Sequence, residues 1–243
     1  MIAAACLLAG CGEGEPQSER VPAQFERVHF RAADGVRLEG RLFGGGRFGI
    51  VLVHMGRGGD SQAGWLELAR RLSRNYLVLT YNRRGVCPGG RAGCSNGADD
   101  YASSWKDVVG AARFIRSKGA ERIGFVGASI GAMSTLYAAS QRGIDPIALV
   151  EFAGINHASG YDFDRADLQR IPGHKLFLSS REDIYGGADA AREWYGWAKP
   201  PKRFELVPGS EHGTDLLQPS NPLHRRVAAL IVRFLDLAMP PTS

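Results

Sequence analysis

Ser129 stands in Gly127-Ala128-Ser129-Ile130-Gly131, a G-x-S-x-G pattern. In a chain with 32 glycines the pattern alone says little, and its surroundings decide. The segment IGFVGASIGAMSTLYAA reads as an apolar strand, a tight turn and a helix. A serine on so sharp a turn is held in a strained backbone conformation. Small residues must flank it, because a side chain at either glycine would strike the neighbouring strand and helix. The hydroxyl then stands above the C-terminal edge of a sheet, at the positive end of the following helix. That placement suits nucleophilic attack on a carbonyl. The bland alternative is a serine that only caps a helix.

With this turn the chain resembles the α/β-hydrolase superfamily, esterases and dienelactone hydrolases in particular, from Phe25 to its C-terminus. The resemblance implies an acid after a later strand and a histidine after the last one, in the order Ser, Asp, His. Asp183, in Ser179-Ser180-Arg181-Glu182-Asp183 after an apolar strand, fits the acid. Its role would be to accept the histidine ring N–H, fix the tautomer and stabilise the imidazolium. Glu182 is one residue away and is the rival, whereas Asp189 falls within a helix. Of six histidines, His212 alone follows the final strand directly, in Val207-Pro208-Gly209-Ser210-Glu211-His212-Gly213. His29 falls on an edge strand and His224 near the start of the last helix. The resemblance also implies an oxyanion hole of two backbone N–H groups. One belongs to Ile130. The other belongs to Met55 or Gly56, because Met55 interrupts the usual His-Gly after His54. Asn82-Arg83-Arg84-Gly85 resembles the family's D-R-R-G segment with Asn for Asp. Its arginines read as pins between loops rather than as a patch for an acidic substrate. The implied chemistry is a serine hydrolase that cleaves a small carboxylic ester or related acyl bond. An acyltransferase on the same fold and a catalytically silent envelope binding protein are the alternatives. No cofactor is implied, no His/Cys/Asp cluster has metal-ligand spacing, and no glycine loop carries the residues of a phosphate cradle.

The elements that must position these residues follow from hydrophobic periodicity. Residues 25–31 and 36–43 read as strands joined by a turn at Asp34-Gly35. Short apolar runs at 49–54, 76–81, 122–126, 147–152, 175–178 and 203–207 read as buried strands. Helical spacing marks 61–74, 101–117, 130–141, 187–197 and 216–237, the last after a loop interrupted by Pro219 and Pro222. This alternation predicts an α/β-hydrolase fold: a mostly parallel central sheet with helices on both faces and an antiparallel hairpin at one edge. About two dozen residues separate the strand ending at Phe152 from the one starting at Lys175. That leaves room for a loop and one short helix, so little or no lid is expected.

The chain has 243 residues, 44% of them hydrophobic, which suits one α/β domain over residues 25–243. The net charge of +5 comes without a Lys/Arg run or a basic stripe interleaved with aromatics, so no nucleic-acid partner is expected. The oligomeric state is not legible. The first ten residues are uncharged and end in Leu8-Ala9-Gly10, followed by Cys11. This resembles a bacterial lipoprotein signal, although no Lys or Arg precedes the apolar stretch. The resemblance implies cleavage before Cys11, a lipid on its sulfur that anchors the chain to a membrane of the bacterial cell envelope, a flexible polar tether over residues 11–24, and a domain in the periplasm or facing the cell exterior. Cleavage removes Cys6 and lipidation uses Cys11. Cys87 and Cys94 then remain for a disulfide in an oxidising compartment. Closing so short a loop is worth roughly 2.5 kcal/mol on chain-entropy reasoning.

Overall fold

The computed structural model describes residues 25–54, 62–87, 94–156 and 160–240. Eight strands form one sheet in the order β1-β2-β4-β3-β5-β6-β7-β8. The hairpin at one edge, β1 (Glu26–Arg31) and β2 (Arg37–Gly44), pairs antiparallel, and β2 pairs antiparallel with β4 (Leu77–Tyr81). From β4 onward every neighbour is parallel: β3 (Phe48–Val53), β5 (Arg122–Ala128), β6 (Ala148–Phe152), β7 (His174–Ser180) and β8 (Lys202–Val207). All the parallel strands therefore end on the same edge.

Period-2 alternation divides the buried residues between two cores even where a strand is apolar throughout. In β3, Ile50 and Leu52 join one core, and Val51 and Val53 the other. The first core packs under α1 (Leu66–Leu72) and α6 (His224–Ala238), with Trp65, Leu68, Leu72, Val227, Ile231 and Leu235. Val227, Ile231 and Leu235 recur at i, i+4 and i+8, so one stripe of α6 is buried. The second core packs under α2 (Trp105–Ser117), α3 (Ile130–Gln141), α4 (Arg165–Arg170) and α5 (Gly187–Trp197). Helices on both faces of a mostly parallel sheet are as the sequence predicts.

Several boundaries differ from the periodicity. The helix expected over 61–74 is a 3-10 turn, Ala63–Trp65, followed by α1. The helix expected over 216–237 is split. A 3-10 turn covers Gly213–Leu217 and α6 starts only at His224, because Pro219 and Pro222 cannot donate the N–H groups that a continuous helix requires. Between β6 and β7 the short helix is α4, capped by Asp164, whose side chain accepts the Asp167 N–H at 2.8 Å. Cys87 and Cys94 are joined by a disulfide, with Cα atoms 4.0 Å apart.

Candidate active site

Ser129 is the residue between β5 and α3, and it adopts φ 54° and ψ −122°. A positive φ in a non-glycine residue costs energy that the surroundings must offset. They do so from both sides. The Ser129 N–H donates to the Phe152 carbonyl of β6 at 3.0 Å, and its own carbonyl accepts from Ala132 at 2.9 Å. The two glycines of the pattern are required by contact. A Cβ at Gly131 would lie 2.0 Å from the His54 carbonyl oxygen, and one at Gly127 would lie 2.6 Å from the Gly131 oxygen. Ile130 opens α3, so its N–H has no acceptor within the helix and is available for a developing oxyanion. Met55 and Gly56, expected to supply the second donor, lie outside the described residues, as does Cys11.

Asp183 follows β7 and His212 follows β8, both on the edge where Ser129 stands. His212 Nδ1 lies 2.8 Å from Asp183 Oδ2 and 3.1 Å from Oδ1. A carboxylate only accepts, so Nδ1 carries a proton, and in the neutral imidazole the lone pair is on Nε2. That Nε2 is buried and has no hydrogen-bond partner among the described residues, Ser129 Oγ included. Nucleophile–base contacts are often loose in the absence of substrate. Asp183 also accepts the Tyr185 N–H at 2.9 Å and the Ser179 hydroxyl at 3.2 Å, so its orientation is set from three directions. α5 begins with glycine for the same reason: a Cβ at Gly187 would meet Asp183 Oδ2 at 2.7 Å. Glu182 points elsewhere and accepts the Gly209 N–H at 3.1 Å. Together with Ser180, whose hydroxyl donates to the Glu211 carbonyl at 2.6 Å, it ties down the loop that carries His212.

Residues 50–241, well over half of the chain, match the alpha/beta hydrolase family. The chain belongs to that family. Its sequence is 28% identical over 225 residues to the uncharacterized protein YfhR of Escherichia coli O157:H7, covering 79% of this chain and 74% of that one. Solved structures of the same fold include the Pyrococcus furiosus esterase Pf2001, with a TM-score of 0.74 at 14% identity over 89% of this chain and 91% of that one. Another is XC6422 of Xanthomonas campestris, described as an a/b serine hydrolase without lid, with a TM-score of 0.71 at 18% identity over 91% and 98% of the two chains.

In this α/β-hydrolase the Asn82-Arg83-Arg84 segment is a structural clamp. The Arg84 guanidinium bonds Asp107 at 2.7 Å and Asp34 at 2.9 Å. Its hydrogen bonds hold the Asp34 pKa down to about 2, while burial pushes that of Asp107 up. Arg83 pairs with Asp99 and stacks 4.4 Å from the Tyr101 ring. The departure from Asp at position 82 has a local cause. The Asn82 amide donates to Glu39 Oε2 at 2.8 Å, and Glu39 is buried. An aspartate here would set two carboxylates against each other out of water.

Two features escaped the sequence reading. The Tyr185 ring lies 4.7 Å from the His212 imidazole at 56°, and both it and Ile184 are exposed. Glu151 is fully buried in β6, one residue before Phe152, and burial raises its pKa to about 8, with the Asp183 charge adding to the effect. Its Oε1 accepts the Gly154 N–H at 2.5 Å, while Oε2 has no partner among the described residues. A lone glutamate in the apolar run ALVEF was the available signal for it.

Proposed function

We propose that this α/β-hydrolase cleaves small carboxylic esters through Ser129, His212 and Asp183. The observation that carries the reading is the buried His212, anchored to Asp183 through Nδ1, with Nε2 unpartnered on the edge where Ser129 is held at positive φ. His212 Nε2 takes the Ser129 proton, and Ser129 Oγ attacks the ester carbonyl. The Ile130 N–H, with one from Met55 or Gly56, receives the charge that develops on the carbonyl oxygen. Collapse of the tetrahedral adduct passes the proton from His212 to the leaving alcohol. Water then cleaves the acyl-enzyme by the same route. Asp183 stabilises the imidazolium at both stages.

Ile184 and Tyr185 bear on substrate choice. The alcohol departs towards His212, so its apolar part would rest on Tyr185. The short connection between β6 and β7, with α4 as its helix, supports an open site and compact acyl groups. A panel of p-nitrophenyl and alkyl esters of graded acyl length tests this. Turnover should be highest for short acyl chains, without a jump when substrate forms an interface. Tyr185→Ala should raise KM severalfold for aryl esters and leave kcat nearly unchanged. Highest activity on long-chain emulsions would contradict the reading.

A further inference from the structure

The end of the sheet opposite Ser129 carries a feature that ester hydrolysis does not use. α1 ends at Leu72, and the chain turns through Ser73, Arg74 and Asn75 to enter β4 at its N-terminal end. Between that turn and the last turns of α6 lies a groove of about 690 Å³, lined by Arg71, Arg74, Arg233 and Leu237 among others. Arg71 is held by Glu67 at 2.7 Å, and Asp236 in the same groove accepts the Tyr76 hydroxyl at 2.7 Å. Arg74 and Arg233 are exposed and have no acidic partner among the described residues. Leu237 is 67% exposed beside them.

This is also the end at which residues 1–24 join the domain. The Phe25 ring packs against Phe43 at 5.5 Å. The next residue, Gly44, is so close to the α1–β4 turn that a Cβ on it would lie 2.4 Å from the Ser73 carbonyl oxygen. Phe25 therefore stands beside the turn that carries Arg74. The catalytic edge lies at the far ends of the strands, and the five residues of β4 alone put about 17 Å between the two.

We infer that this end of the domain docks on an anionic phospholipid surface, with headgroup phosphates at Arg74 and Arg233, Leu237 in the interfacial layer, and Ser129 facing away from the bilayer. Two arginines without an ion-pair partner among the described residues, next to an exposed leucine, match such a surface in charge and polarity. A lipid on Cys11 would approach from the same side, because the chain after it enters the domain at Phe25. The catalytic mouth would then receive substrate from the aqueous phase. The inference is independent of the chemistry at Ser129.

The test uses the full chain and the ratio of its retention on phosphatidylglycerol-containing vesicles to that on phosphatidylcholine vesicles. An acyl chain or an apolar N-terminus raises both and leaves the ratio at one. The wild type should give a ratio about tenfold or more above one at low salt, falling as salt screens the charges. Arg74→Glu/Arg233→Glu should bring the ratio to about one while hydrolysis of a soluble ester stays at the wild-type rate. Arg74→Lys/Arg233→Lys should keep most of the ratio, because a charged surface reads charge rather than fork geometry. A wild-type ratio of one, an unchanged ratio in the Glu variant, or tighter retention by duplex DNA than by the anionic vesicles would overturn the assignment.

Discussion

Two sets of buried charge stand near the C-terminal edge of the sheet, and they are built to opposite ends. Around β2 and β4, Arg84 is gripped by Asp107 and Asp34, Arg83 by Asp99, and Glu39 receives Asn82. Around β7 and β8, His212 has one nitrogen bonded to Asp183 and the other buried with no partner among the described residues. Buried polar groups are usually satisfied, and a histidine left half-satisfied in an ordered site is where chemistry is to be sought. The first set fastens loops to the sheet; the second leaves one ring nitrogen of a histidine unpartnered. The first set also holds buried atoms without a hydrogen-bond partner among the described residues, Glu39 Oε1 and Arg83 Nε, so what sets His212 apart is that its unpartnered atom belongs to an imidazole on the edge where Ser129 stands.

Substitutions in each set should therefore fail differently. Asp183→Asn should lower kcat by about 10⁴-fold, because the amide favours the wrong histidine tautomer, with the fold retained by circular dichroism. Glu182→Gln should cost only a few-fold, since that carboxylate holds a loop amide rather than the ring. A larger loss in Glu182→Gln would shift the acid by one residue. Arg84→Met should do the reverse. It strands the buried Asp107 carboxylate, so urea unfolding should show a loss of about 3–5 kcal/mol, with activity per folded molecule close to wild type. Equal losses of activity and stability in both variants would erase the distinction between the two sets.

The effect at Glu151 depends on pH. Its folded pKa of about 8 lies above the ordinary 4.5, so between those values the folded chain holds a proton that the unfolded chain has lost. Wild-type stability should fall as pH rises through that window. Glu151→Gln lacks this loss. It should gain on the wild type in unfolding free energy from pH 5 towards pH 8, and a constant difference would show that Glu151 does not titrate there.

The sequence made the helix-and-strand alternation, the edge hairpin and the serine turn legible because each rests on local periodicity or a short motif. The contact between His212 and Asp183 was expected from the family resemblance, which puts an acid and a histidine after two later strands, not from any spacing between them. Tyr185 beside the imidazole was not foreseen, because it depends on how the loop after β7 folds back, which no periodicity encodes. The pairing of Asn82 with Glu39 joins residues 43 apart and needed the β2–β4 register. The loop through Pro219 and Pro222 ahead of the last helix was legible, and only the boundary at 216 was set too early.

The most direct test of Ser129 as the nucleophile is labelling with a fluorophosphonate followed by peptide mass analysis. The phosphonyl group should be found on Ser129 of the native chain, and labelling should vanish in Ser129→Ala and slow sharply in Asp183→Asn. A native, folded chain that takes no label, or takes it on another serine, would contradict the assignment.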